Sequence, residues 1–227
     1  MSLPPPLKVG QALVDGFLDV NNPFSYPVAI GASMLRLLIG YALAVAIGLP
    51  LGLATARSVL IRDTLGSWVV GLQTLPSIVW LPLAIIWFGL TEKAIIFVVV
   101  MGATFAIATS VDDSIRNVSP LLLKAGRTLG AEGMRLNLRV TLPAALPTIV
   151  TGLKLGWSFA WRSLMAAELM YGAVGVGRVL DTGRANGDSD IVIATILVIL
   201  MLGLVVSKYV FGPIETALAH RWGLVVE

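Results

Sequence analysis

Four long runs without a charged residue constrain this chain more than any other feature of its sequence. The runs are Leu37–Ala56, Thr64–Thr91, Ala94–Val111 and Ile191–Ser207. A helix needs about 20 mainly apolar residues to cross the hydrocarbon core of a bilayer. A spanning strand would instead alternate polar and apolar residues over about ten positions, and these runs do not alternate. The sequence therefore predicts an all-α integral membrane protein.

Composition agrees with a membrane location and excludes several function classes. Only 13% of the 227 residues are charged, against about 25% in soluble domains. The chain has no cysteine and one histidine, His220, so no disulfide, metal cluster or catalytic triad is predicted. It lacks the GxxxxGK[ST] phosphate loop, and its net charge of +3 fits basic cytoplasmic loops better than nucleic-acid binding. We expect no enzymatic activity, no cofactor in this chain and no nucleic-acid partner.

The apolar runs and the breaks between them predict five spanning helices. Their predicted bounds are Val28–Ala56, Thr64–Leu90, Ala94–Thr109, Ala144–Met170 and Ile191–Phe211. Pro76 and Pro82 are expected to break the second span, because proline removes a backbone donor and clashes with the preceding turn. Gly40, Gly48 and Gly52 are expected to let the first span approach its neighbours closely.

The N-terminal residues 1–27 are predicted to form a separate extracytoplasmic or interfacial segment, with residues 28–227 as the transmembrane domain. A short surface helix is expected there, with Leu13, Phe17 and Val20 on one face. The Asn21-Asn22-Pro23 sequence should end it.

The distribution of Lys and Arg predicts the orientation. If residues 112–141 are cytoplasmic, nine basic residues lie on that side and four on the other. Cytoplasmic loops carry the excess of Lys and Arg, so the N-terminus is expected outside and the C-terminus in the cytoplasm. The nine are Arg57, Arg62, Arg116, Lys124, Arg127, Arg135, Arg139, Lys208 and Arg221; the four are Lys8, Lys93, Arg178 and Arg184.

The polar segment between the third and fourth spans has the pattern of two amphipathic helices. Ser119 as N-cap and Pro120 at the first position start one helix, which Gly130 ends; the second is expected over Ala131–Arg139. One face of the first helix is apolar, with Leu121, Leu122, Ala125 and Leu129. From periodicity alone, this face binds a partner, packs beneath the chain's own spans, or lies in the lipid interface.

The spacing in this segment resembles the EAA loop of ATP-binding-cassette importer permeases. Lys124-Ala125-Gly126 is followed by Gly130 and, after nine intervening residues, by Val140 and then Leu142-Pro143. The chain departs from the family pattern at Lys124, where the family has Glu, and at Gly126, where it has Ala. Further matches to the nitrate, sulfonate and taurine branch are Leu75–Ser77, Trp80–Leu83, Trp87–Gly89, Ala125–Ala131, Leu142–Pro147, Thr151–Leu153, Ala160-Trp161 and Ala167-Glu168.

The resemblance implies a five-helix type I permease core in the bacterial inner membrane, acting as a homodimer. Leu3–Pro6 resembles the segment that follows an extra first span in many members, and the five-helix core is expected without that span. The implied partners are two ATPase subunits, which bind ATP and Mg²⁺, and an extracytoplasmic solute-binding protein. The implied solute is a small anion such as nitrate, a sulfonate or taurine. The implied ATPase-coupling residues are Lys124, Ala125, Gly126, Arg127, Thr128, Leu129, Gly130, Ala131 and Glu132.

Polar side chains inside the predicted spans are candidates for the translocation path: Arg36, Gln73, Thr74, Ser77, Arg162 and Glu168. Charges inside a membrane usually face a cavity or a partner. Arg162 is expected either to line the path and favour an anion, or to pair with Glu168 or an acid of another span. Glu168 matches the family, which favours a structural or gating role.

Purely structural roles stay open for the other candidates. Arg36 and Lys154 are expected to snorkel to the membrane surface. Ser and Thr side chains near Pro76 can donate hydrogen bonds to the backbone carbonyls that the proline leaves unpaired, instead of contacting solute. At the level of the whole chain, the alternatives are a stand-alone secondary transporter or channel, and a membrane enzyme.

Overall fold

The computed structural model describes residues 4–18 and 25–221. Val20 and the break predicted at residues 21–23 lie outside these residues. The described part is helical, without a β-strand. Its helices are α1 (Pro6–Leu18), α2 (Tyr26–Arg57), α3 (Val59–Gln73), α4 (Ser77–Phe88), α5 (Glu92–Arg116), α6 (Pro120–Thr128), α7 (Gly133–Tyr171), α8 (Val176–Asn186) and α9 (Ser189–Leu218).

Four of these helices are long and apolar enough to cross a membrane, namely α2, α5, α7 and α9. The broken pair α3 and α4 makes a fifth span if the two helices are counted together. The break follows Gln73, as the position of Pro76 predicted. Pro82 does not break α4, because it lies in the first turn of the α-helical stretch Trp80–Phe88, where backbone N–H groups lack intrahelical partners in any case.

The second amphipathic helix predicted at Ala131–Arg139 is wrong as a separate element. From Gly133 onwards the backbone is helical and continuous with the fourth span, giving one helix of 39 residues. A π-helical turn over Asn137–Thr141 joins the two parts. A π turn widens the helix by one residue, which relieves the crowding that Pro143 would impose on the preceding turn.

The chain divides into two compact units, and the first comprises residues 1–43, 76–102 and 158–206. Its core includes Tyr26, Ala29, Val176, Val179 and Val198, with the Leu13 side chain packed against them. The Tyr26 hydroxyl lies 3.0 Å from Thr195 Oγ1, and the Phe17 ring lies 5.2 Å from the Tyr26 ring. The apolar face of α1 is therefore packed against this core.

The second unit comprises residues 44–75, 103–157 and 207–227. Here α2 approaches α5 closely through glycine: a Cβ on Gly48 would lie 2.7 Å from the carbonyl oxygen of Thr104. The Lys154 ammonium group lies 2.9 Å from the Glu215 carboxylate, and its snorkelling to the membrane surface stays a prediction.

The spanning helices expose large apolar side chains. Trp68 is 71% exposed, Ile86 78% and Leu200 53%. Water-facing surfaces rarely carry contiguous apolar areas of this kind. The exposed surface of these helices is therefore suited to lipid or to another protein.

Candidate functional site

Helix α6 presents its apolar face to the outside of the chain. Leu121, Leu122 and Leu129 are 75%, 49% and 87% exposed, and Ala125 between them is exposed as well. The interpretation that this face packs beneath the chain's own spans is therefore wrong. A partner or the lipid interface is left to cover it.

Gly130 ends α6 through backbone geometry that favours glycine. Its φ of +81° is in the left-handed region. The Gly130 N–H donates to the Arg127 carbonyl at 2.9 Å, and the Ala131 N–H donates to the Gly126 carbonyl at 3.0 Å. These two bonds form a Schellman motif, the usual glycine-dependent helix stop. The glycine of the EAA-like spacing thus fixes where the chain turns away from the helix.

Gly126 is the residue through which α6 packs on α7. A Cβ at this position would lie 2.8 Å from Leu136 Cδ1 and 3.0 Å from Val140 Cγ2. Gly126 is buried and Ala131 is half-buried. The remaining predicted coupling residues are exposed: Lys124, Ala125, Arg127, Thr128, Leu129, Gly130 and Glu132.

The start of α6 is partly as predicted. Ser119 occupies the N-cap and Pro120 the first helical position, but the Ser119 hydroxyl makes no capping hydrogen bond. Proline has no backbone N–H, and at the first helical position this costs nothing because the N–H there would have no intrahelical partner.

At the break between α3 and α4, two of the path candidates lie in different surroundings. Gln73 Oε1 accepts a hydrogen bond from Thr109 Oγ1 at 2.9 Å, and both side chains line a cleft of about 740 Å³ together with Arg62, Asp112 and Arg116. Thr74 Oγ1 instead donates to the Gly71 carbonyl at 2.6 Å, so it satisfies a backbone acceptor at the end of α3.

Ser77 lies in the short 3₁₀ turn that opens α4. Its Cβ is 3.2 Å from the point where a Cβ on Gly102 would lie, so it packs closely on α5. The assignment of Gln73, Thr74 and Ser77 to the translocation path stays a prediction.

Arg36 and Glu168 form a buried ion pair. Arg36 Nη1 lies 2.8 Å from Glu168 Oε1, and the two side chains are 4% and 0% exposed. Arg36 Nη2 also lies 2.8 Å from Glu92 Oε1. The snorkelling expected of Arg36 is therefore wrong, and Glu168, one of the acids considered as a partner of Arg162, is held by Arg36.

Arg162 is exposed on α7 and has no carboxylate partner among the described ion pairs. Its Nε donates to the Ser158 carbonyl at 3.2 Å, and its guanidinium lies 4.6 Å from the centre of the Phe159 ring. It lies nine residues before the end of α7 at Tyr171, or about 13 Å at 1.5 Å per residue. An exposed cation is thus held within an apolar helix.

Sequence reasoning missed several members of the buried group around Glu168. Ser33 Oγ lies 2.8 Å from both Glu168 carboxylate oxygens, and the Gly177 N–H donates to Glu168 Oε2 at 3.0 Å. The spacing of Ser33, one helical turn before Arg36, was the available signal. Nothing in the sequence marked Gly177 as a partner.

The sequence profile of a family described as "Binding-protein-dependent transport system inner membrane component" matches residues 48–210. The match includes the exposed helix α6 and its Gly130 stop. The chain belongs to this family. It is therefore an ABC importer permease with several membrane spans, as the EAA-like spacing predicted.

Individual relatives place the permease near a particular branch of that family. It is 32% identical to a putative ABC transporter permease protein of Methanocaldococcus jannaschii, over 78% of this chain and 66% of that one. It is 30% identical to the taurine transport system permease protein of Escherichia coli, over 88% and 73%. It is 31% identical to a nitrate import permease protein of Leptolyngbya laminosa, over 80% and 65%. The permease thus spans about two thirds to three quarters of the length of these relatives.

Solved structures show the same fold. A chain of the inward-facing MetNI methionine ABC transporter superposes with a TM-score of 0.69 at 20% identity, covering 82% of the permease and 92% of that chain. A chain of an amino acid ABC transporter superposes with a TM-score of 0.67 at 16% identity, covering 95% and 96%. The predicted fold class, an all-α type I importer permease, is confirmed.

Proposed function

We propose that two copies of this permease enclose a translocation path for a small anion, and that ATP drives its import. The solute classes that fit are nitrate, sulfonates and taurine, delivered by an extracytoplasmic binding protein. Two separate ATPase subunits bind and hydrolyse ATP with Mg²⁺. The permease supplies the path and transmits the motion of the ATPase pair, and it has no catalytic site of its own.

The largely exposed coupling segment, residues 124–132, is the observation that carries this proposal. Leu129 is 87% exposed at the end of α6, and Lys124 and Arg127 are exposed beside it. A short helix with an uncovered apolar face needs a partner, and burying a leucine side chain contributes about 1.5–3 kcal/mol. The groove of an ATPase subunit is the partner that the family pattern supplies.

The charge distribution supports the direction of transport. The coupling segment belongs to the more basic side of the chain, which is cytoplasmic by the positive-inside rule. The N-terminus then lies outside and the C-terminus in the cytoplasm. ATP hydrolysis acts on the cytoplasmic side, and solute arrives from the outer side.

Arg162 supports an anionic solute. A charge exposed to lipid near the bilayer centre costs at least about 2.5–3.5 kcal/mol. Exposure of Arg162 on a spanning helix is therefore best explained if it faces a water-filled path or the second copy. In such a path its guanidinium would attract a nitrate, sulfonate or similar group.

Co-purification tests the proposal through Leu129. A tagged permease is purified from its native membrane in mild detergent, and its partners are identified. We expect an ATPase in equal amount with the wild type and with Leu129→Met, and its loss with Leu129→Asp. Because Leu129 is exposed, the Asp variant should keep its folded elution profile. Equal ATPase recovery with Leu129→Asp would contradict the coupling assignment.

A stand-alone secondary transporter or channel is the alternative. It would purify without an ATPase in several detergents and would move solute in its absence. That pair of results would overturn the importer proposal.

A further inference from the structure

The N-terminus of α8 carries no cap of its own. Gly175 is the N-cap residue and makes no side-chain capping hydrogen bond. The first N–H groups of a helix lack intrahelical partners and need another acceptor when they are buried. Val176 at the start of α8 is fully buried, so these donors cannot rely on water.

Side chains from two other helices satisfy this helix start. The Val176 N–H donates to Ser33 Oγ of α2 at 3.0 Å, and the Gly177 N–H donates to Glu168 Oε2 of α7 at 3.0 Å. A carboxylate at this end of a helix is also favoured by the helix dipole. Glu168 and Ser33 together therefore act as a cap supplied from outside α8.

Arg36 ties the same carboxylate to the residues just before α8. Its Nη1 lies 2.8 Å from Glu168 Oε1 and donates to the Val174 carbonyl at 2.7 Å. Three backbone groups within residues 174–177 are thus held by side chains of α2 and α7. Glu92 touches only the outer side of this group and is 65% exposed.

The backbone of α8 is shaped to receive the carboxylate. A Cβ on Gly175 would lie 2.5 Å from both oxygens of Glu168, and a Cβ on Gly177 would lie 2.5 Å from Glu168 Cβ. Any larger residue at either position would push the carboxylate away. The Glu168 side chain therefore packs directly against the main chain at Gly175 and Gly177.

We propose that Glu168 is a positioning residue, a cap in trans that keeps α8 docked on the core of its unit, and that solute import requires this docking. The second half of this statement rests on the proposed function. With the N-terminus outside and the C-terminus in the cytoplasm, α8 follows the fourth span and lies on the extracytoplasmic side, where solute enters. Arg36 and Ser33 complete the cap.

Cysteine labelling measures the docking directly, because the natural chain contains no cysteine. Val179→Cys places a thiol on the buried face of α8, where Val179 is 7% exposed. Ala185→Cys places one on the exposed face and serves as the reference. Both are labelled with a polar maleimide in native membranes, in the background of each cap variant.

The Glu168→Gln variant should label Val179→Cys at least about tenfold faster than its parent, since a hydrogen bond to a charged group corresponds to a tenfold or larger change in an equilibrium. The milder Ser33→Ala variant should give a smaller increase. The matched control Glu92→Gln should stay within about twofold, because the Glu92 side chain is 65% exposed and ion pairs made with exposed groups contribute little. Labelling of Ala185→Cys should not change. An unchanged rate at Val179→Cys in both Glu168→Gln and Ser33→Ala would overturn the proposal.

A charge swap separates a cap from an ordinary ion pair. Arg36→Glu combined with Glu168→Arg restores opposite charges but points a cation at the N–H groups of α8. Fast labelling should persist in this double variant. Parental labelling would show that only the ion pair matters, and would overturn the capping role.

Uptake assays on the same variants test the link to transport. We expect Glu168→Gln to reduce solute uptake while the ATPase still co-purifies. Fast labelling with unchanged uptake would overturn the transport half of the proposal. Because labelling needs no ATPase, the cap is tested even if the proposed importer function fails.

Discussion

At the scale of single residues, the buried charges of this permease are arranged around one carboxylate. Glu168 is fully buried and lies within 3.0 Å of donors on Ser33, Arg36 and Gly177. Burying an ion pair costs desolvation energy, which is recovered only when further hydrogen bonds satisfy both groups. Arg36 Nε is nevertheless buried without a hydrogen-bond partner among the described residues.

Removing one member of this pair should cost more than removing the charge from both. Arg36→Gln leaves a buried carboxylate without its cation, and breaking a buried pair in this way costs about 3–5 kcal/mol. The double variant Arg36→Gln with Glu168→Gln has no uncompensated charge. We expect it to unfold at a higher temperature than Arg36→Gln alone, measured as the fraction of permease left unaggregated after heating in detergent. A double variant whose loss equals the sum of the two single losses would contradict the coupling between the two residues.

The residue types in this group could be predicted from the sequence, but their pairing could not. Arg36 and Glu168 are 132 positions apart, and one sequence carries no signal for contact at that separation. A choice between Arg36 and Arg162 as the partner of Glu168 depends on which face of each helix turns inward. In helices that are apolar all round, periodicity does not indicate that face.

At the scale of secondary structure, α6 is defined by how it ends. The left-handed Gly130, two residues after Thr128, and its Schellman hydrogen bonds end the helix at Thr128. This stop sets the positions of Leu129 and Lys124 relative to the start of α7. The chain therefore leaves helix α6 through a defined turn at Gly130.

Replacing Gly130 tests whether this exit geometry matters for coupling. Gly130→Val forces a β-branched residue into the left-handed region, a strain of about 1–3 kcal/mol. Asparagine tolerates that region, so Gly130→Asn is the matched control. We expect at least about a fivefold loss of co-purified ATPase with Val at limiting concentration, and near-normal recovery with Asn. If Val and Asn behaved alike, the backbone at Gly130 would not be the feature that the partner requires.

Helix positions could be predicted more reliably than helix ends. Four of the five predicted spans are single long helices, and the broken pair α3 and α4 makes the fifth if the two are counted together, because long uncharged runs leave no other structure that satisfies the backbone in a bilayer. The predicted boundary before Leu142 is absent, because the π turn at Asn137–Thr141 carries the helix past Pro143. α5 runs to Arg116 rather than Thr109, past its apolar run, with Asp112 and Arg116 one turn apart at 3.4 Å.

At the scale of the whole molecule, the permease exposes apolar side chains over its spans and a cation at Arg162. An anion about 4 Å from that guanidinium would gain about 4 kcal/mol at an effective dielectric constant near 20. This interaction is available only if a water-filled path runs past Arg162. The solute preference of the complex is then set in part inside the membrane.

Uptake by Arg162 variants tests that placement. Arg162→Gln should reduce uptake of nitrate, taurine and alkanesulfonates by about tenfold or more, with the ATPase still bound. Arg162→Lys keeps the charge and should retain most of the uptake. Uptake is measured with labelled solutes in cells that express the complete system. Wild-type rates and an unchanged solute range in Arg162→Gln would contradict a role in the path.

The central claim is that this permease couples ATP hydrolysis in a partner to solute import, and reconstitution tests it most directly. The co-purified complex is placed in proteoliposomes, with ATP on the side of the coupling segment and solute-loaded binding protein on the other. We expect loaded binding protein to stimulate ATP hydrolysis, and solute to cross to the ATP side only when ATP is present. Solute movement by the permease alone, without an ATPase subunit, would contradict this claim.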